Sequence, residues 1–136
     1  MIPVLVESPF AGDVWNNIEY ARACMADCLK RGEAPFASHL LYTQEGVLND
    51  NVPEERELGI EAGLLWGRFA KRTVVYVDRG ISRGMRAGIA RAITEGRPVE
   101  FRSLPAYQTA EALRALADAM RTWANAKAEL MAGDVP

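Results

Sequence analysis

Thr73-Val74-Val75-Tyr76-Val77 is an unbroken run of β-branched and aromatic residues, without the polar alternation of a half-exposed strand. Such a run fits a strand buried on both faces, in the middle of a parallel sheet with helices above and below it. Parallel neighbours need long crossovers, so a strand of this kind demands helices between the other strands. The flanking sequence supplies them. Residues 2–6 read as a first strand. Asp13 stands as the N-cap of a helix to about residue 31, with Ile18, Ala21, Met25, Cys28 and Leu29 on one face and Gly32 ending it. Residues 34–41, made extended by Pro35, read as a second strand ending at His39, Leu40 and Leu41. Residues 43–52 are a turn-rich loop. Pro53, Glu54 and Glu55 then open a second helix whose expected buried stripe is Leu58, Ala62, Leu65, Trp66 and Phe69.

After the central strand, Ser82 caps a third helix carrying Met85, Ile89, Ala92 and Ile93 and ending at Gly96. Pro98–Arg102 reads as a fourth strand, with Pro98 at its first residue. Thr109 caps a long helix to about Ala132, with Gly133 as its stop. The order βαβαβαβα predicts one three-layer α/β domain over 1–136 with right-handed crossovers. The last helix runs for about six turns, more than a four-stranded sheet needs for cover. Its apolar stripe, Leu113, Leu116, Met120, Trp123 and Leu130, is expected to pack partly on another subunit.

Composition narrows the partners. Sixteen Lys and Arg against 18 Asp and Glu leave a net charge of −2, with no basic excess to neutralise phosphates, so nucleic acid is not expected. No apolar run approaches the ~20 residues of a membrane span, and Met1–Val6 is too short for a signal-peptide core. The chain is expected in the cytoplasm. Cys24 and Cys28, four apart in a helical pattern, read as small buried or half-buried thiols of a reducing compartment. No third Cys and no His lies near enough in sequence to suggest zinc, and no metal or cofactor is expected.

Two polar loops follow strand-like runs and open helices: Glu7-Ser8-Pro9-Phe10-Ala11-Gly12-Asp13 and Asp78-Arg79-Gly80-Ile81-Ser82-Arg83-Gly84-Met85. Both fall at the carboxyl edge of the sheet, where open α/β folds bind ligands. In the first, Pro9 and Gly12 shape a tight turn, and Asp13 suits sugar hydroxyls better than phosphate. In the second, Asp78 follows the central strand, and Gly80 and Gly84 let a ligand approach the backbone, though the spacing is not a dinucleotide fingerprint. His39, the only histidine, is placed level with both loops. Arg56 offers a bidentate grip on an anion, and Glu61 a carboxylate from the second helix. The expected pocket is therefore Glu7, Ser8, Pro9, Phe10, Asp13, His39, Tyr42, Arg56, Glu61, Asp78, Gly80, Ser82, Gly84 and Met85.

Glu7–Asp13, Pro35-Phe36-Ala37-Ser38-His39, Asp78-x-Gly80-Ile81-Ser82-x-Gly84-Met85 and Gly96-x-Pro98-Val99-Glu100 resemble small, mostly phage and prophage proteins of unassigned function, which are similar to nucleoside 2-deoxyribosyltransferases. The resemblance covers about residues 2–104 and leaves out the helix over 109–132. It implies a flavodoxin-like parallel sheet, a nucleoside- or nucleotide-sized pocket and a homo-oligomer formed through helices. It also exposes a departure. The transferases carry a nucleophilic Glu in the helix after the Asp loop, and the corresponding residue here is Gly88. A covalent sugar–carboxylate intermediate needs a nucleophile in reach of the anomeric carbon. No catalytic residue is therefore assigned. The expectation is a protein that binds a nucleotide or ADP-ribose-like molecule without turnover, such as a phage counter-defence protein sequestering a nucleotide immune signal in the host cytoplasm. The alternative is an N-glycosidic-bond hydrolase or 2-deoxyribosyltransferase, in which Glu7, Glu61 or Asp78 would act.

Overall fold

The computed structural model describes the backbone of residues 1–133 and side chains through Glu129. Four parallel strands form one sheet in the order β2-β1-β3-β4, from β1 (Ile2–Glu7), β2 (Glu33–Phe36), β3 (Arg72–Tyr76) and β4 (Val99–Arg102). The helices are α1 (Val14–Lys30), α2 (Ser38–Leu41), α3 (Pro53–Gly67), α4 (Arg83–Thr94) and α5 (Ala110–Gly133), with a 3-10 turn at Pro105–Tyr107. This is the α/β architecture expected from the sequence, long last helix included. Val74, Val75, Tyr76 and Val77 are fully buried, as their composition required. One sheet face, through Val4, Val6, Val74 and Tyr76, packs on Tyr20, Cys24 and Cys28 of α1. The other, through Val75 and Val77, packs on Met85 and Ile89 of α4 and on Leu116 and Ala119 of α5. Glycine Gly67 brings α3 onto this second face, where an added Cβ would meet Leu5 Cδ2 at 3.1 Å.

Several elements differ from expectation in the face they bury. On α1 the buried set is Asn17, Tyr20, Ala21, Cys24 and Cys28, and Leu29 is exposed. Tyr20 turns the helix, because its hydroxyl reaches Asp78 beyond β3. The second strand stops at Phe36, and Ser38–Leu41 form a helical turn in which Leu40 packs on the core. His39 therefore sits on a helix rather than at a strand end. On α3, Leu58, Leu65 and Trp66 are exposed, as is Phe69 just beyond its end, and the buried residues are Gly63 and Gly67. Residues without side chains let this helix lie close to its neighbours, which leaves its bulky residues on the far side. On α5 the alanines Ala112 and Ala119 are buried, whereas Leu113 and Met120 are exposed, and the side chain of Leu130 lies outside the described residues.

Part of the polar core is an ion cluster on the α1 side of the sheet. Arg102 at the end of β4 makes a two-pronged pair with Glu33 of β2, both bonds 2.7 Å, and a 3.0 Å bond to Glu100. Its Nη1 also donates to the Tyr76 hydroxyl at 3.2 Å. These bonds hold the Glu33 carboxyl below the usual carboxylate range. Among the described residues, no helix is long and apolar enough to cross a membrane.

Candidate functional site

The strand order reverses direction between β1 and β3, and chains leaving the carboxyl ends of these two strands diverge to helices on opposite faces. That splay opens a crevice, the usual ligand position of a doubly wound sheet. A cavity of about 230 Å³ lies there, enclosed by the end of β1, the loop after it, α2, α3 and the start of α4. Glu7, Ser8 and Phe10 come to it from the first loop, and Ser82, Gly84 and Met85 from the second. His39 and Tyr42 line it from α2, and Arg56 from α3. The two loops singled out in the sequence therefore meet at one cavity.

The pleat decides which residues of each loop point inward. Successive side chains alternate faces, and Glu7 is paired with Val75 across the β1–β3 ladder. It thus shares the face of Leu5 and Val75, beneath α3 and α4. Asp78 has the opposite parity and does not line the cavity. Its carboxylate accepts the Tyr20 hydroxyl at 2.6 Å, the Leu104 N–H at 2.9 Å and the Ser103 hydroxyl. It ties α1 to the segment after β4. Gly80, Pro9, Asp13 and Glu61 also stand outside the cavity wall. Pro9 is buried beneath its loop, and Glu61 is on the exposed side of α3. Asp13 occupies the N-cap position of α1 without making the capping bond. It accepts instead from Asn16 Nδ2 at 2.8 Å, with Arg79 at 3.5 Å, and these contacts hold its carboxyl low.

The polar groups within the cavity are sparsely paired. Ser8 Oγ and His39 Nε2 share a 2.8 Å hydrogen bond. The His39 ring meets Phe10 edge-on at 6.5 Å, and burial pushes its pKa down to about 4, so it is neutral near pH 7. Glu7 is half-buried, and burial pushes its carboxyl up to about 8 against the opposing pull of Arg97. Gly88 of α4 lies directly opposite: a Cβ there would overlap Glu7 Oε1 and stand 2.5 Å from Cδ. A neutral acid, a neutral imidazole and a hydroxyl can donate and accept hydrogen bonds but present no fixed charge. Arg56, 3.9 Å from Asp50, and Arg83 supply positive charge to the same wall.

Two supporting residues were not foreseen. Asn17 is buried, and its Nδ2 donates to the carbonyls of Phe10 and Ala11 at 3.0 and 3.2 Å, setting the first loop. Arg79 Nε donates to Asn17 Oδ1 at 2.9 Å and so ties the second loop to the first. The signal was the second Asn of the Asn16-Asn17 pair, one turn into a helix, on what proved to be its buried side. Among the described residues, no group of three or more His, Cys, Asp or Glu side chains gathers as a metal site, and Cys24 and Cys28 are buried free thiols.

Residues 3–102 match the family model described as "Domain of unknown function (DUF7768)". Among solved structures, the fold is similar to that of a 2-deoxyribosyltransferase from the psychrotolerant bacterium Bacillus psychrosaccharolyticus. The TM-score is 0.57 at 16% identity, over 74% of this chain and 72% of that one. At that identity the likeness is one of fold. That protein is described as a biocatalyst for the synthesis of nucleosides. No curated protein matches this chain.

Proposed function

The chain belongs to the DUF7768 family, and on that premise we propose that its cavity binds a nucleoside or nucleoside monophosphate and holds it intact. The observation that carries this reading is the pairing of Glu7 with Gly88. Covalent catalysis on a sugar calls for an ionised carboxylate. Helix α4 offers none at Gly88, and the one carboxyl that fills the gap is neutral near pH 7. Size supports a small ligand: about 230 Å³ falls below the ~300–1,000 Å³ of common ligand pockets, which favours a nucleoside over ADP-ribose. Arg56 and Arg83 suit a single phosphate. A chain that withholds a nucleotide without cleaving it acts by sequestration. If a phage encodes it, a nucleotide signal of host defence is the kind of molecule it would remove.

The test is native mass spectrometry of the purified chain, followed by denaturation and chromatography of what it releases. The expected result is an intact nucleoside or nucleotide in stoichiometric amount. Cleavage of added deoxynucleosides at catalytic protein concentrations would overturn the holding role. It would favour the second reading, an N-glycosidic-bond enzyme. For that reading, the specific observation is that a carboxyl does stand at the cavity wall against α4, delivered by β1.

A further inference from the structure

Two elements exchange volume at the Glu7 carboxyl. Strand β1 delivers the carboxyl to the cavity wall, and α4 has no side chain at the facing position. Any other residue at 88 would have to displace it. Among the described residues no hydrogen bond reaches the Glu7 carboxyl, and the Arg97 charge pulls its pKa down against burial. Arg97 Nε donates to Thr73 Oγ1 at 2.9 Å and Nη1 to Glu95 at 2.5 Å, while its buried Nη2 has no hydrogen-bond partner among the described residues.

We propose that Glu7 selects the ligand as a neutral carboxylic acid, its O–H donating to an uncharged acceptor: a ring nitrogen, carbonyl or ether oxygen of a nucleoside. The inference rests on the reading of the cavity given above. An unpaired carboxylate partly withdrawn from water is costly, and taking up a proton removes that cost. The shift of the carboxyl to about 8 agrees. Protonation also turns an acceptor-only group into a donor, which the neutral His39–Ser8 pair beside it complements. The other charged or titratable groups around this space are His39 and Tyr42 from α2, Asp50, Glu55 and Arg56 from α3 and the loop before it, Arg83 from α4, and Arg97 from the turn after α4. The proton on His39 is already lost near pH 4, so it does not change charge where Glu7 does.

The experiment is isothermal titration of the full chain with 2′-deoxyadenosine, 2′-deoxyinosine, thymidine and 2′-deoxycytidine between pH 6 and 9. The tightest-binding of the four is then used with Glu7→Gln, Glu7→Ala and Gly88→Ala. If only the neutral acid binds, affinity falls about tenfold between pH 7 and 9, in step with the protonated fraction. Glu7→Gln keeps a donor of the same shape and is expected to bind as the native chain does at pH 6, without the fall at pH 9. Glu7→Ala and Gly88→Ala, the latter by displacing the carboxyl, are expected to weaken binding about tenfold, the worth of one hydrogen bond. Circular dichroism and melting of each variant separate lost binding from lost folding. Binding that strengthens through pH 8, or a Glu7→Gln variant that fails to bind at pH 6 while folded, overturns the neutral-donor role. Binding indifferent to pH and to all three substitutions removes Glu7 from the site and leaves the nucleoside reading standing. If neither these four nucleosides nor their 5′-monophosphates bind at any pH, that reading itself is overturned, and this inference with it.

Discussion

Glu7 and His39, neighbours across one cavity, pull stability in opposite directions as pH changes. Glu7 has its pKa raised from 4.5 to about 8 in the fold, so between those values the unfolded chain has lost a proton that the folded chain keeps. Stability falls with pH across that window and levels off above it. His39 has its pKa lowered from 6.5 to about 4, so its contribution rises with pH over that range. The two slopes largely cancel between pH 4.5 and 6.5, leaving Glu7 alone above. We expect a loss of about 2 kcal/mol between pH 6.5 and 8, read by urea unfolding at each pH, and a flat profile for Glu7→Gln. An unchanged slope in that variant would place the titrating group elsewhere. A second residue-scale prediction concerns Arg102. Removing it alone, as Arg102→Met, leaves Glu33 buried without its two-pronged partner, at a cost of about 3–5 kcal/mol. Replacing Glu33 by Met as well is expected to recover much of that loss, again by urea unfolding. Residue identities at the cavity were readable where strand parity and loop position agree, as for Glu7, Ser8, Ser82 and Met85, all of which line it. Asp78 misled because a carboxylate at a strand end looks like a site. One pleat step turns it to the opposite face, where three donors claim it.

At the scale of elements, strand and helix order was readable because β-branched runs, caps and glycine stops are local signals, except at Ser38–Leu41, read as the end of a strand and found as α2. The faces of the helices were not. Periodicity identifies the apolar stripe of a helix, but not whether that stripe or a row of small residues meets the sheet. On α3 the row Gly59, Gly63 and Gly67 recurs every four residues and faces Leu48, Ser38 and Leu5 in turn. Contact through glycines places the backbone of α3 near α2, which fixes the distance between Arg56 and His39 across the cavity. A Cβ on Gly63 would overlap Ser38 Oγ and stand 2.6 Å from Ser38 Cβ. Gly63→Ala gains about 1 kcal/mol of helix propensity but must push two helices apart. Overpacking of that kind costs about 1–3 kcal/mol. We expect a net lowering of the melting temperature, followed by circular dichroism. Gly63→Ala combined with Ser38→Ala is expected to restore part of it, since the hydroxyl is the first atom met. A melting temperature raised by the single substitution would show that α3 is not seated on this row.

For the whole molecule, the same inversion of faces leaves apolar surface with no partner among the described residues. Trp66 of α3 and Phe69 just beyond its end are more than half exposed, and their rings lie 5.9 Å apart. Trp66 also lies 6.2 Å from Phe36 at the end of β2. Leu58 and Leu65 extend the patch along the helix, while Leu113 and Met120 leave a second exposed strip on α5. Exposed aromatic and aliphatic surface of this kind is what self-association commonly uses. Copies of one chain most often pair through the same patch on each, about a two-fold axis. The patch on α3 is the better placed of the two, because that helix also forms a wall of the cavity. Pairing through it would restrain Arg56 and the loop before it. We expect sedimentation velocity at micromolar concentration to find an oligomer, and Trp66→Glu with Phe69→Glu to yield monomers that remain folded by circular dichroism. Both substituted side chains are already largely exposed, so a charge there costs the monomer little while opposing like charge across a two-fold contact. If the native chain sediments as a monomer at every concentration, the exposed face of α3 is not a self-association surface. If the doubly substituted chain stays oligomeric, association runs instead through the strip on α5, and Leu113→Glu with Met120→Glu is then the pair that should dissociate it.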